Sequence, residues 1–182
     1  GIYLTSWSAG ASSIEGRIDF LKKHDLNSLV IDLKDDLGYI SYETEVSQAL
    51  VIGAGTKRIS APDKMLSKLK DAGIYTIARI VAFKDPLLAQ KRRDLAMKNA
   101  QGAIRKDNRG HSWVDPASRQ VWDYLVSLGE EALALGFDEI QYDYVRYPSD
   151  GNLRNLVYPL GGPKSSEIAS FLRFATQRLH RK

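Results

Sequence analysis

Short apolar runs of strand type alternate along this chain with stretches whose apolar residues recur at helical spacing. The first run is Ile2-Tyr3-Leu4-Thr5-Ser6-Trp7. After a Ser/Gly/Ala stretch, Ser12-Ser13-Ile14-Glu15 has the form of a capping box with Ser12 as N-cap, and Ile14, Ile18 and Leu21 form one helical stripe. Ser28-Leu29-Val30-Ile31-Asp32-Leu33-Lys34 reads as the second strand. A long loop, from Asp35 to Ala61, leads to a helix opened by Pro62-Asp63, with Met65, Leu66 and Leu69 facing inward and Gly73 just past its end. The third strand, Ile74 to Phe83, follows at once, and a helical insertion begins at Pro86. A polar loop from Gln101 to Ser112 leads to Trp113-Val114-Asp115-Pro116 and the longest predicted helix, Pro116 to Leu135. Gly136 ends that helix, and the fourth strand runs from Phe137 to Tyr144. A loop from Pro148 to Pro163 and a helix from Lys164 to His180 follow.

Strands alternating with helices imply a parallel sheet with right-handed crossovers. An open doubly wound sheet and a barrel both satisfy that order. Polarity within the strands separates them. Central strands of a doubly wound sheet read as nearly continuous apolar runs. Here Thr5 and Trp7, Asp32 and Lys34, Arg79, and Glu139, Gln141 and Asp143 put polar residues on one strand face. A barrel interior lets Asp32, Lys34, Arg79 and Glu139 pair across neighbouring strands, which offsets the cost of burying them. The expected fold is therefore α/β, a (β/α) barrel of TIM type with four βα units. A complete barrel of this kind has eight strands in about 250 residues. The 182 residues are thus expected to form a single barrel-type domain, incomplete at its C-terminus: a truncated or half barrel that covers its open edges by pairing.

Composition adds little to the fold and narrows the function. Apolar residues at 43% and charged residues at 26% suit a soluble globular protein, and no apolar run is long enough to span a membrane. The absence of cysteine excludes disulfides, a thiol nucleophile and cysteine–zinc sites. A net charge of +4 could serve nucleic acid, but the densest basic run, Lys91-Arg92-Arg93, lies in a helix that also carries Asp94 and reads as a solvated face. No nucleic-acid partner is expected. The basic tail from Arg178 to Lys182 reads as a helix end, where cations suit the dipole.

In α/β barrels the active site lies at the C-terminal ends of the strands. That rule selects Trp7, Lys34 to Asp36, Phe83 to Asp85, Asp115, and Asp143 to Arg146. Asp143 is the sharpest candidate, flanked by Tyr142 and Tyr144 and close to Arg146, which would keep it ionised. A carboxylate in that setting suits an oxocarbenium-like centre. A structural Asp–Arg pair that pins the loop is the competing reading. Lys34 and Asp35 are expected at the rim, while Asp32 lies deeper and pairs with Arg79. Asp32, Asp35 and Asp36 could hold a cation through oxygen ligands, but their spacing is not that of an EF-hand, and no metal or other cofactor is expected. Trp7, Phe83, Trp113, Tyr144 and Tyr147 could stack on sugar faces, although large aromatics are also core formers. His24, His111 and His180 are scattered without metal spacing. Gly53-Ala54-Gly55 lacks the context of a phosphate loop, and no Gly-x-Ser-x-Gly elbow occurs.

The segments GIYLTSWSAG, LVIDLKDDLGYI, GIYTIARIVAFKDPLLA, WVDPAS and GFDEIQYDYVRYPSDG, taken together and in order, resemble a bacterial family of glycosyl hydrolase domains. The fourth strand resembles that of barrel glycosidases, including the α-amylase clan, in which an Asp at the end of strand four is the nucleophile. The resemblance carries that role to Asp143; Gln141 stands where the clan has an arginine. It implies a retaining hydrolase of a poly- or oligosaccharide, in an extracytoplasmic or cell-surface location. Trp7, Lys34, Asp35, Arg79, Phe83, Asp115, Tyr144 and Arg146 would be substrate contacts. The general acid of such enzymes comes from strand five or later, so this chain alone is expected to be inactive. Two rival readings are a non-catalytic carbohydrate-binding barrel and a structural half-barrel that self-associates as a homo-oligomer or joins the remaining half.

Overall fold

A computed structural model of the protein describes residues 1–11, 14–158 and 163–180. The predicted N-cap Ser12 lies outside the described residues. The elements are β1 (Ile2–Leu4), α1 (Ser6–Gly10), α2 (Glu15–Lys23), β2 (Ser28–Lys34), α3 (Ser47–Ile52), α4 (Pro62–Asp71), β3 (Tyr75–Val81), α5 (Pro86–Lys91), β4 (Lys98–Asn99), α6 (Arg119–Leu135), β5 (Glu139–Asp143), β6 (Leu156–Val157) and α7 (Lys164–Leu179).

The main sheet has the order β1-β2-β3-β5, and β4 and β6 form a separate ribbon. Strand β1 pairs in parallel with β2, Ile2 opposite Leu29, and β2 pairs in parallel with β3, Ser28 opposite Tyr75. Asp138 N donates to Thr76 O at 3.0 Å and Ala82 N donates to Asp143 O at 2.8 Å, so β3 and β5 also advance together. The sheet is parallel and its order is sequential. A doubly wound sheet reverses direction from a strand in its middle; consecutive barrel strands do not. The α/β class stands, with the strand order that a barrel requires.

Local chemistry explains where elements depart from expectation. The first strand stops at Leu4 instead of reaching Trp7, because the Thr5 hydroxyl caps a short helix by accepting from Ser8 N at 3.2 Å. The long loop after β2 contains α3, ended by Gly53 in the left-handed conformation, which lacks the Cβ that would oppose it. Glu131 of α6 holds this loop: it accepts from Tyr42 Oη (2.9 Å), Thr44 Oγ1 (2.6 Å) and Glu45 N (2.7 Å). Elsewhere β2 and α4 follow the apolar pattern, with Met65, Leu66 and Leu69 buried as expected.

The chain divides into two compact units. The first comprises Gly1–Asp35, Tyr39–Ile80 and Leu128–Tyr142; the second comprises Asp36–Gly38, Val81–Ser127 and Asp143–Lys182. Leu21, Leu29, Ile31, Leu69 and Ile80 are fully buried in the first. In the second, Phe171 packs edge-on against Phe83 (ring centroids 5.1 Å) and Trp122 (5.9 Å), and Trp122 Nε1 donates to Pro116 O at 2.6 Å. Each such side chain contributes about 1.5–3 kcal/mol by leaving water.

Candidate active site

In the first unit, the strand residues Asp32, Arg79 and Glu139 are paired. Asp32 accepts from Arg79 Nη1 at 2.5 Å and from the Tyr3 hydroxyl, as cross-strand pairing predicts. Glu139 accepts from Tyr75 Oη at 3.2 Å. Asp35 accepts from Arg58 Nη1 (2.7 Å) and from Tyr39 N (2.9 Å). The same guanidinium donates to Ser6 Oγ at 3.1 Å and lies 4.8 Å over the ring of Trp7. Trp7 is 67% exposed, an open aromatic face backed by a cation. Lys34, expected on the rim, is instead fully buried. The register shifts between Asp32 and Lys34, and Ile40 bridges to Lys34 while Ser41 N donates to Leu33 O, so the end of β2 is enclosed.

In the second unit, the end of β5 carries Asp143, half-buried, followed by Tyr144 with φ +52°. A left-handed tyrosine is strained, and such strain persists only where surrounding contacts hold it. Tyr144 N donates to Asp143 Oδ1 at 2.6 Å. The Tyr144 ring stands edge-on to Trp113 (5.8 Å) and lies 5.1 Å from Lys84 Nζ. Arg146 lies over both rings, 4.9 Å from Trp113 and 5.4 Å from Tyr144. It donates to Tyr147 O (3.3 Å) and Ser149 Oγ (2.9 Å). The expected Asp143–Arg146 pair is therefore not made: the left-handed turn at Tyr144 sends Arg146 onto the aromatic pair instead. Trp113 is itself aimed by Asp107, which accepts its Nε1 at 3.3 Å and the backbone N–H groups of Arg109 and His111 at 2.9 and 2.8 Å.

Lys84, 3% exposed at its side chain, donates to Asp36 Oδ2 at 2.7 Å. Burial would push the Asp36 carboxyl up, but the bonded ammonium, with His111 nearby, brings it below the ordinary carboxylate range. Asp115 is buried; burial and the charge of Glu167 raise its carboxyl against the opposing Ala117 N–H, which donates to Oδ1 at 3.0 Å. Burial, then Asp115 and Glu167, push the Tyr147 phenol up to about 12. Phe83, expected as a stacking platform, is a core residue, fully buried against Phe171.

Asp32, Asp35 and Asp36 each take a basic partner, Arg79, Arg58 and Lys84 respectively. Among the described residues no group of three or more His, Cys, Asp or Glu side chains is arranged to hold a metal ion. Nor is any helix among them long and apolar enough to cross a membrane. Sequence reasoning passed over Arg58 and Asp107, which lie in loops, and reached Lys84 only as a member of the strand-end range Phe83 to Asp85. The one available signal for Lys84 was a lysine directly after an apolar strand end.

A solved hypothetical protein from Ruminiclostridium thermocellum ATCC 27405 is similar along almost the whole chain: 35% identity, TM-score 0.92, covering 98% of this chain and 93% of that one. The α-galactosidase from Thermus thermophilus, in complex with p-nitrophenyl α-D-galactopyranoside, matches with TM-score 0.56 and 17% identity over 98% of this chain and 35% of that one. The α-L-fucosidase isoenzyme 2 from Paenibacillus thiaminolyticus matches with TM-score 0.63 and 13% identity over 99% and 30%. The chain thus spans about a third of these two glycosidases, and identities this low speak for a shared fold alone. No curated protein matches. The family model described as "putative glycosyl hydrolase domain" covers residues 1–182, and the chain belongs to that family.

Proposed function

We propose that the chain carries the nucleophile side of a retaining glycoside hydrolase acting on a poly- or oligosaccharide, with Asp143 as the nucleophile. One observation carries the reading. Asp143 ends β5 beside a strained left-handed Tyr144 whose N–H orients its carboxylate, with Lys84, Arg146 and Trp113 around that tyrosine. Membership of a glycosyl hydrolase family supports the reaction class, and likeness to an α-galactosidase and an α-L-fucosidase supports the fold that would carry it.

In this reading an Asp143 oxygen bonds to the anomeric carbon as the glycosidic C–O bond breaks. An acid protonates the departing oxygen. Water then attacks the glycosyl–Asp143 ester, giving up a proton to the same acid's conjugate base, and releases the sugar with retained configuration. Within the second unit, Tyr144 and Arg146, backed by the enclosed Trp113, supply an aromatic and cationic wall for the sugar. Lys34 and Phe83 are enclosed and take no part in binding.

The test uses the natural protein that contains this chain, and its Asp143→Asn variant, on a panel of poly- and oligosaccharides. Turnover in the first and a loss of at least about 10³-fold in the second is the expected result. Equal turnover in both ends the nucleophile assignment. Binding without turnover in both favours the second reading, a carbohydrate-binding barrel, for which the open face of Trp7 is the specific observation.

A further inference from the structure

Next to the β4–β6 ribbon, the second unit holds an arginine whose surroundings lack an explanation in the fold. Strand β4 pairs antiparallel with β6, Arg105 N donates to Met97 O, and Met97 N donates to Trp113 O, each at 2.9 Å. Arg105 thus sits within a folded-back layer and is only 5% exposed. Its Nε, Nη1 and Nη2 are all buried, and none meets an acceptor among the described residues. A guanidinium cannot shed its charge, and a buried charge without a partner is among the costliest features a fold can carry. The other buried basic side chain among the described residues of this unit, Lys84, has a partner in Asp36.

What surrounds Arg105 is a set of donors. A cavity of about 290 Å³ is lined by Asn99, Ile104, Arg105, Lys106, Asn152 and Asn155, with no carboxylate among the described residues of its wall. Asn99 Oδ1 accepts from Gln101 N (3.1 Å) and Ala103 N (2.9 Å), and Asn152 Oδ1 accepts from Arg154 N (3.1 Å). With both carbonyl oxygens turned to the backbone, the two NH₂ groups remain as donors. The turn at Gly151 closes over the guanidinium: φ is +74°, and a Cβ there would lie 3.1 Å from Arg105 Nη2.

We propose that this cavity binds a compact oxyanion, a carboxylate, sulfate or phosphate group, on the Arg105 fork, with Lys106 and the asparagine NH₂ groups as further donors. The fork matches two oxygens of such a group at once. The group can arrive as a free ion or as the acidic substituent of a sugar. Because the site is read out by stability, its test stands apart from any assay of hydrolysis.

Thermal unfolding is followed at fixed ionic strength in chloride, phosphate, sulfate and a free uronic acid, with glucose as the neutral control, for the wild type and Arg105→Met. The expected result is a saturable rise in wild-type Tm of about 3–5 °C at tenfold the half-saturating concentration, absent in Arg105→Met. In chloride the variant should be at least as stable as the wild type, since methionine fills the space without a charge. A rise with phosphate or sulfate alone identifies a free ion, and a rise with the uronic acid identifies a sugar substituent. No anion-specific rise in the wild type, or an equal rise in the variant, overturns the proposal. Should Arg105→Met not fold, Arg105→Lys, which keeps charge and loses the fork, should need at least about tenfold more anion; an unchanged requirement overturns it as well.

Discussion

Removing the Lys84 ammonium tests whether the strand-end cluster is held by charge. Nζ lies 2.7 Å from Asp36 Oδ2, with the lysine 3% and the aspartate 39% exposed. At an effective dielectric of about 20, charges that close attract by about 6 kcal/mol. Desolvation of the lysine offsets much of this. Breaking a fully buried pair from one side costs about 3–5 kcal/mol, and water at the open Asp36 end reduces that, so Lys84→Met should lose about 2 kcal/mol at pH 7. The sign of the pH dependence follows. In the wild type the Asp36 carboxyl is lowered, so its contribution is complete above the unfolded value, about 3.9, and is lost as pH falls through the folded value. The penalty of the variant should therefore shrink toward pH 2. Urea denaturation of the wild type, Lys84→Met, Asp36→Asn and the double variant reads both effects. The double variant should lose at least about 1 kcal/mol less than the sum of the singles. A loss below about 0.5 kcal/mol for Lys84→Met, or strictly additive losses, would refute the reasoning.

Four further outcomes follow from the geometry. Gly38→Ala should cost more than about 2 kcal/mol by chemical denaturation, because φ is +98° and a Cβ would lie 2.1 Å from Asp85 Oδ1, the oxygen that caps α5 at Leu88 N. Gly53→Ala, at φ +68° in open space, should cost only about 1 kcal/mol. Phe171→Ala should lose about 3–5 kcal/mol in the same measurement, since the fully buried ring touches both Phe83 and Trp122. Asp115→Asn keeps the acceptor for Ala117 N while removing a carboxyl that burial raises. For a raised carboxyl, stability falls as pH rises from the unfolded toward the folded value, so the wild type should lose stability relative to the variant across that window.

Much of the architecture was legible because it is written locally. A seven-residue apolar run between turn signals is β2 from Ser28 to Lys34, and the Met65, Leu66, Leu69 stripe is the buried face of α4. The same period-two polarity that favoured a barrel correctly paired Asp32 with Arg79, because residues opposed in parallel register on one face have few other partners. Short-range chemistry was present but underweighted at Thr5, whose hydroxyl turns the chain into α1 before Trp7.

The site divided differently. That Asp143 ends a sheet strand follows from the chain alone, since apolar periodicity and the glycine at 136 bracket that strand. Its neighbours do not follow. Sequence proximity argued for Arg146 on Asp143, yet one left-handed residue redirects Arg146 to Trp113, a residue 33 positions earlier in the sequence. Lys84, Arg58 and Asp107 acquire their roles only when loops fold back, and Phe83 loses its expected role when Phe171 covers it. Periodicity reports which face a side chain shares with its near neighbours, and backbone sterics are local enough to read from it. Which charge meets which, and which aromatic is left open to solvent, depends on distant segments meeting in three dimensions, and that only the tertiary structure decided.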